Sequence, residues 1–255
     1  AHEVRVILPP GWAQSFSGMA SSPGRNTYVA SDYDTLVDSP ILAGSPAVYE
    51  FQVSGRPHYL VDFRERGIWN GPQAVQDLGK AAGAAARFWG ELPFDRYYFF
   101  NLIGAPRNAL EHRNSTVINI PLESTNGREG YLDWLSTAVH EYFHAWNVKR
   151  LRPVELGPFD YENEVYTKGL WFAEGVTDYY ADLLLLRAGV TTREEYLNAL
   201  SSQIRSLQTT PGRLEQSVEM ASYDTWIKYY RPDENSANTS ISYYVKGAVI
   251  GFLLD

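Results

Sequence analysis

The sequence predicts an α+β protein in which a β-rich N-terminal segment leads into a mainly helical region. Two observations predict this. Apolar and polar residues alternate along several short runs within about the first sixty positions, the period of a half-buried strand. From about residue 70 the apolar residues recur instead at the three-and-four spacing of a helix. Turn-rich stretches such as "SSPGRN" and "DSPILAGSP" separate the early runs.

Taken in order, "HEVRVIL" and "AVYEFQV" alternate, and "HYLVDF" is rich in aromatic and branched residues, so each is expected to be a strand. Together they suggest that residues 1–64 are the C-terminal part of a β-rich domain, with a second domain over 65–255. That second stretch opens with "NGPQAVQDLGKAAGAAARFWGEL", a Gly-Pro start and an Ala-rich helical body. "RYYFFNLIG" and "STVINIPL" follow as strand candidates. The remainder is expected to be mostly helical, over 133–148, over 169–187, and from Thr192 to about Leu207. Thr192 with Glu195 forms a capping box for the last of these. "RLEQSVEMASYDTWIKYY" is expected as a fourth helix and Tyr244 onward as a fifth. The fifth meets the chain end with no cap or breaker, which points to a domain truncated at its C-terminal end.

Composition narrows the function. The 255 residues are 44% apolar and 20% charged, the balance of a globular chain with a sizeable core. A net charge of -8 without a basic block argues against nucleic-acid binding. No apolar run approaches the length of a membrane span. There is no cysteine, which removes thiolate nucleophiles, disulfides and Cys-based zinc sites together. The chain starts at Ala1 without a charged or apolar leader, and a periplasmic or secreted compartment is favoured over a cytoplasmic one. The oligomeric state is not written in the sequence.

The chemistry concentrates in "STAVHEYFHAWNVKR". His140 and His144 are one helical turn apart, so both rings can address one ion from the same face. Glu141 is turned about 100° around the axis. There it flanks the ion and can take a proton from the attacking water. This is the H-E-x-x-H pattern of zinc peptidases. A catalytic zinc wants three protein ligands and an open position. With no third histidine nearby, the candidates are Glu162, Glu164 and Glu174. The first two lie in the loop-like "GPFDYENEVYTK", whereas Glu174 lies in "GLWFAEGVTDYYADLL", which has helical spacing. Asp178 follows four residues later, where a carboxylate can orient a ligand histidine through its far nitrogen. Glu174 is therefore the expected third ligand. Trp134, Trp146 and Trp171 read as core, and Lys149, Arg150 and Arg152 as a solvated basic face.

His140-Glu141-x-x-His144 followed by Glu174-x-x-x-Asp178 resembles the gluzincin, or thermolysin-like, metallopeptidases. More closely, "HEYFHAWNVKRLRPVELGPFDYENEVYTKGLWFAEGVTDYYADLL" is similar to the glycyl aminopeptidase family, whose members often carry a PDZ domain near the C-terminus. The likeness continues through "PGRLEQSVEMASYDTWIKYYRPDENSANTSISYYVKG" and reaches back to "PPGW" and "DSPILAG". The resemblance implies a thermolysin-like, mainly helical zinc peptidase domain over 65–255.

The resemblance adds two site residues. Tyr244-Val245-Lys246-Gly247 matches a Y-x-K-G pattern in which the tyrosine hydroxyl steadies the oxyanion, with Tyr243 as the rival core residue. Asn108-Ala109-Leu110-Glu111-His112 sits where related enzymes carry a G-x-M-E-N-like segment. Its extended backbone pairs with substrate, and its glutamate, here Glu111, holds the free α-amine. Asn108 replaces the usual glycine, and His112 the asparagine. The expectation is a zinc-dependent aminopeptidase binding one Zn2+ per chain and acting on peptide or protein N-termini, by resemblance those with small residues, Gly then Ala. The competing readings are an endopeptidase using the same zinc chemistry and a non-catalytic peptide-binding fragment.

Overall fold

The structure, a computed structural model, describes residues 1–64 and 67–255. The domain boundary expected between 64 and 65 falls against the two residues outside that description. A β-rich N-terminal region is followed by a helical one, the α+β arrangement expected. The chain forms two compact units, Ala1–Ala145 and Trp146–Asp255. No helix among the described residues is long and apolar enough to cross a membrane.

The first unit runs β1 (His2–Arg5), β2 (Gln14–Ser17), β3 (Ala20–Ser21), β4 (Thr27–Ala30), α1 (Tyr33–Val37), β5 (Ile41–Gly44), β6 (Ala47–Val53) and β7 (Arg56–Phe63). It continues with α2 (Gly71–Trp89), β8 (Tyr97–Ile103), β9 (Asn108–Glu111), β10 (Ser115–Ile120) and α3 (Gly127–Phe143). Its main sheet has the order β6-β7-β8-β10-β9. The three inner strands are parallel, and both edge strands pair antiparallel. A parallel centre explains why "YYFFNLI" of β8 lacks a polar face, since such a strand is covered on both sides. Phe100 packs with Val61 and Phe16 on one side. On the other, Tyr97 and Phe99 meet Tyr142 of α3 at ring distances of 4.8 and 5.5 Å.

"DSPILAGSP" is more than a turn: its Ile41–Gly44 is a strand paired with β2. Helix α2 starts at the N-cap Asn70, whose side chain accepts from the Gln73 amide at 3.2 Å. Helix α3 lies over Gly127–Phe143 rather than 133–148, with His144 as its C-cap. Its end tightens as the Ala145 amide reaches back to the Tyr142 carbonyl, three residues away rather than four.

The second unit holds α4 (Val176–Arg187), α5 (Arg193–Thr209), α6 (Val218–Tyr223), α7 (Ser236–Thr239) and α8 (Tyr243–Leu254). A wide, π-type turn over Trp171–Gly175 leads into α4, where a plain helix was expected. The expected fourth helix is broken. A 3-10 turn, Pro211–Arg213, is followed by the short α6, which the Ser217 hydroxyl caps. After Tyr223 the chain turns rather than continuing helical. The capping box at Thr192 and Glu195 is present as read. Helix α8 is the hub of this unit, packing on the wide turn and on α4, α5 and α6. Trp134 and Trp146 are buried and Trp171 half-buried, in keeping with their reading as core.

Candidate functional site

In the first unit, helix α3 carries His140 and Glu141 in its last turn and His144 at its cap. All three are buried, at 8%, 6% and 1% exposure. The two Nε2 atoms converge to 2.9 Å, with the rings edge to face at 85°. Strand register decides what joins them. Thr116 of β10 faces Glu111 of β9 directly, and residues two apart share a face of the sheet. Ile118 is on the same face as Thr116, and α3 covers β9 and β10. Glu111 is thereby turned towards the helix, and ligand atoms of Glu111, Glu141 and His144 lie within 4.8 Å of one another. The next residue, His112, projects the opposite way. Its Nδ1 is 3.3 Å from Asp38, which also accepts from the Arg113 amide at 2.9 Å. Asp38 belongs to "DSPILAG", so that stretch braces the strand bearing Glu111. Tyr97 donates to the Glu141 carbonyl at 3.4 Å, tying the end of α3 to the central strand.

In the second unit, Glu174 sits half-buried within the wide turn, and Asp178 lies in the first turn of α4. A turn widened this way leaves carbonyls without their usual amide partners. Asn147 supplies what is missing: its Nδ2 donates to the Phe172 carbonyl at 3.1 Å, the Ala173 carbonyl at 3.3 Å and the Thr177 hydroxyl at 3.0 Å. Wide turns of this kind are frequent at functional positions. Glu162 and Glu164, by contrast, lie in an exposed loop. There the Glu164 carboxylate accepts from Tyr166.

Two glycines bring α8 against the wide turn. A Cβ on Gly175 would lie 2.5 Å from the Gly247 Cα, and one on Gly247 would lie 2.4 Å from the Trp171 carbonyl oxygen. Only hydrogen fits in either place. This approach sets Tyr244, one turn before Gly247, beside Glu174. Burial first, then the Glu174 carboxylate, pushes the Tyr244 hydroxyl far up, so it stays a proton-bearing donor. Tyr243 is buried in a cluster with Ala221 and Ile241 while Tyr244 is half-exposed, so Tyr244 is the one with access to a ligand. Lys246 holds the preceding loop, donating to the Arg213 carbonyl at 3.0 Å and the Gln216 carbonyl at 2.7 Å.

The sequence reading singled out His140, Glu141, His144 and Glu111, which come together in the first unit, and Glu174 and Tyr244, which meet in the second. It did not single out Asn147, Asp38 or the Gly175–Gly247 approach. The glycine of Y-x-K-G was the one available signal among these. The donor chemistry fits zinc: two imidazole nitrogens side by side with carboxylates at hand suit a borderline ion that takes nitrogen and oxygen.

Comparison with known proteins agrees with this geometry. Residues 133–250 match the family model of the M61 glycyl aminopeptidase, and residues 1–45 that of the peptidase M61 N-terminal domain. An aminopeptidase N family protein from Idiomarina loihiensis is 34% identical, with a TM-score of 0.94 over 99% of this chain. The chain spans 45% of that protein's length. An M1 zinc metallopeptidase from Deinococcus radiodurans, at 15% identity, shares the fold. Its TM-score is 0.57 over 96% of this chain and 50% of that one. The curated proteins contain no match. His140, Glu141, His144, Glu174, Asp178 and Tyr244 all fall in the larger matched stretch, and both stretches carry one family's description: the chain belongs to the M61 glycyl aminopeptidase family.

Proposed function

We propose that the chain carries the catalytic centre of a zinc-dependent aminopeptidase that removes small N-terminal residues, glycine first and alanine next. The observation that carries this reading is the cluster of half-buried Glu111 with buried Glu141 and His144, the His140 and His144 nitrogens converging at its edge. A generic zinc hydrolase has no need of Glu111. An exopeptidase does, because a protonated α-amine must be met by a carboxylate.

In this proposal His140, His144 and Glu174 hold zinc, with Asp178 orienting a ligand histidine through its far nitrogen. Zinc, when bound, supplies Lewis acidity, which polarises a carbonyl and brings water into the range of a carboxylate base. Glu141 takes the water proton and passes it to the leaving amine; its burial keeps competing solvent away. Tyr244 donates to the developing oxyanion. Strand β9 offers its outer edge to the substrate backbone while Glu111 reads the amine, so chain length beyond the first residue is not selected. Residues 65–255 are taken to contain this centre, and 1–64 to be the end of the preceding β-rich domain.

The test uses a glycyl peptide with a free or acetylated N-terminus, together with metal analysis. About one zinc per chain and loss of cleavage on acetylation are expected. Equal rates on both substrates would make the protein an endopeptidase. A protein that holds no zinc and hydrolyses neither would be a binding fragment.

A further inference from the structure

Tyr244 is the first of four aromatic side chains in successive contact within the second unit. Its ring lies 6.2 Å from that of Tyr229, Tyr229 meets Tyr230 at 5.1 Å, and Tyr230 stacks on Trp226 at 5.3 Å and 26°. Exposure rises along the run: Tyr229 is 39% exposed, Tyr230 49% and Trp226 58%, with Ile227 of the same turn at 64%. The support beneath is fixed. Thr225 is buried, and its carbonyl accepts from the Tyr230 amide at 3.0 Å. The Asp224 carbonyl accepts from the Ile227 and Lys228 amides at 3.1 and 3.0 Å, and the Lys228 ammonium pairs with the Asp224 carboxylate at 3.0 Å. The Tyr230 and Tyr243 hydroxyls, 3.1 Å apart, hold the Tyr230 ring in place.

Surface aromatics scattered singly need no explanation, but a contiguous patch of them marks a place where something binds. What binds here follows from where the run starts. Tyr244 is assigned above to the carbonyl of the scissile bond. A substrate held by its free amine has no residue ahead of the first, so a surface leading away from that carbonyl meets the residues after the cut. Their spacing suits the run. Side chains on one side of an extended peptide repeat at about 7 Å, and these rings follow one another at 5.1–6.2 Å. Rings held in place beforehand also lose little freedom when a ligand stacks on them.

We propose that Tyr229, Tyr230 and Trp226 form the subsite for the substrate residues that follow the cleaved bond, and that this subsite favours peptides carrying an aromatic side chain there. The proposal rests on the reading of the site as an aminopeptidase centre with Tyr244 at the scissile carbonyl. It adds a second selection to the first: the N-terminal residue is chosen for being small, and a downstream residue for its ring. The subsite reads side-chain character and not length, so a run of glycines gains nothing from it.

The test uses the zinc-loaded, full-length protein and the peptide Gly-Ala-Ala-Ala amide, with Phe walked through the second, third and fourth positions. At least one Phe version is expected to have a KM about fivefold lower, the worth of one aromatic pair, with kcat little changed. Trp226→Ala is expected to cut that preference to about twofold or less, and Trp226→Phe, which restores a ring, to recover it. Trp226 is the residue to replace because it is exposed and joins the run only at its far end, away from the packing around Tyr243. In the zinc-loaded Glu141→Gln protein, calorimetry should give the same ratio of affinities without turnover. One KM for all four peptides, or a preference that survives Trp226→Ala at every position, overturns the subsite alone. A wild type that cleaves none of the four overturns the aminopeptidase reading and the subsite with it.

Discussion

Replacing Gly247 by alanine tests whether the approach of α8 to the wide turn holds Glu174 and Tyr244 in place. In an ordinary helix interior this exchange stabilises, by about 1 kcal/mol. Here the new methyl would lie 2.4 Å from the Trp171 carbonyl oxygen and 3.0 Å from the Gly175 Cα, where ordinary contact begins at 3.4 Å. The clash is with backbone, which cannot swing away as a side chain tip can. Relief requires the two elements to part by about 1 Å, and overpacking of this kind costs about 3 kcal/mol at the upper end of its range. The net loss is then about 2 kcal/mol, a fall in Tm of about 4–8 °C for a domain of this size. Parting the elements also moves Tyr244 from Glu174, and a misplacement near 1 Å costs about a hundredfold in rate. Gly83→Ala in α2 is the control. Its nearest neighbour is the flexible Arg87 guanidinium at 3.5 Å. That substitution should raise stability by about 0.5–1 kcal/mol. The assays are thermal unfolding by circular dichroism and hydrolysis of a glycyl substrate. A Gly247→Ala protein as stable and as fast as wild type would refute the reasoning.

Three further outcomes are expected. His58 is fully buried, its Nε2 2.9 Å from the Tyr142 hydroxyl, and burial lowers its pKa from 6.5 to about 4. The unfolded chain therefore takes up this proton between pH 6.5 and 4 while the folded chain does not. The contribution is full above pH 6.5 and falls with pH across that window, by about 3 kcal/mol in all. Tm should fall less steeply over that range in His58→Phe. Asn147→Ala takes the side-chain donor from the Phe172 carbonyl, while the Ala173 carbonyl keeps the Thr177 hydroxyl at 2.6 Å, and should cost about 2 kcal/mol, with zinc held about tenfold less tightly, read by unfolding and by competition with a chelator. Glu111→Ala should raise KM for free glycyl peptides by about tenfold or more while leaving zinc content unchanged, because a charge-assisted bond to the amine is lost.

What could be read from the chain follows from how local each signal is. Strands β1, β6 and β7, the body of α2 and the Thr192 capping box depend on neighbouring residues, and local pattern finds them; the short β2–β5 and α1 lie in or beside turn-rich stretches and carry no such pattern. His140, Glu141 and His144 share one helix, so spacing alone put them on one side of it. Glu111 was different: its orientation follows from the pairing of Thr116 with Glu111, a register that single-strand patterns do not contain. The wide turn at Glu174 was invisible because it is made by contacts from outside its own stretch, the Asn147 amide and Gly247. The expected fourth helix failed for a related reason. "RLEQSVEMASYDTWIKYY" has helical apolar spacing, yet Ser217 starts a new short helix and Lys246 draws the Arg213 and Gln216 carbonyls out of helical pairing. His112 was given no role from the sequence, and only the fold brings Asp38 to it.

Zinc analysis of the wild-type protein and of Glu141→Gln, alongside turnover of a glycyl substrate, tests the account most directly. Glu141→Gln keeps the size of the side chain and removes the base. The account predicts about one zinc per chain in both proteins and a loss of kcat on the order of 10²–10⁴-fold in the variant. Undiminished turnover in Glu141→Gln, or turnover by a wild-type protein stripped of metal, would contradict it.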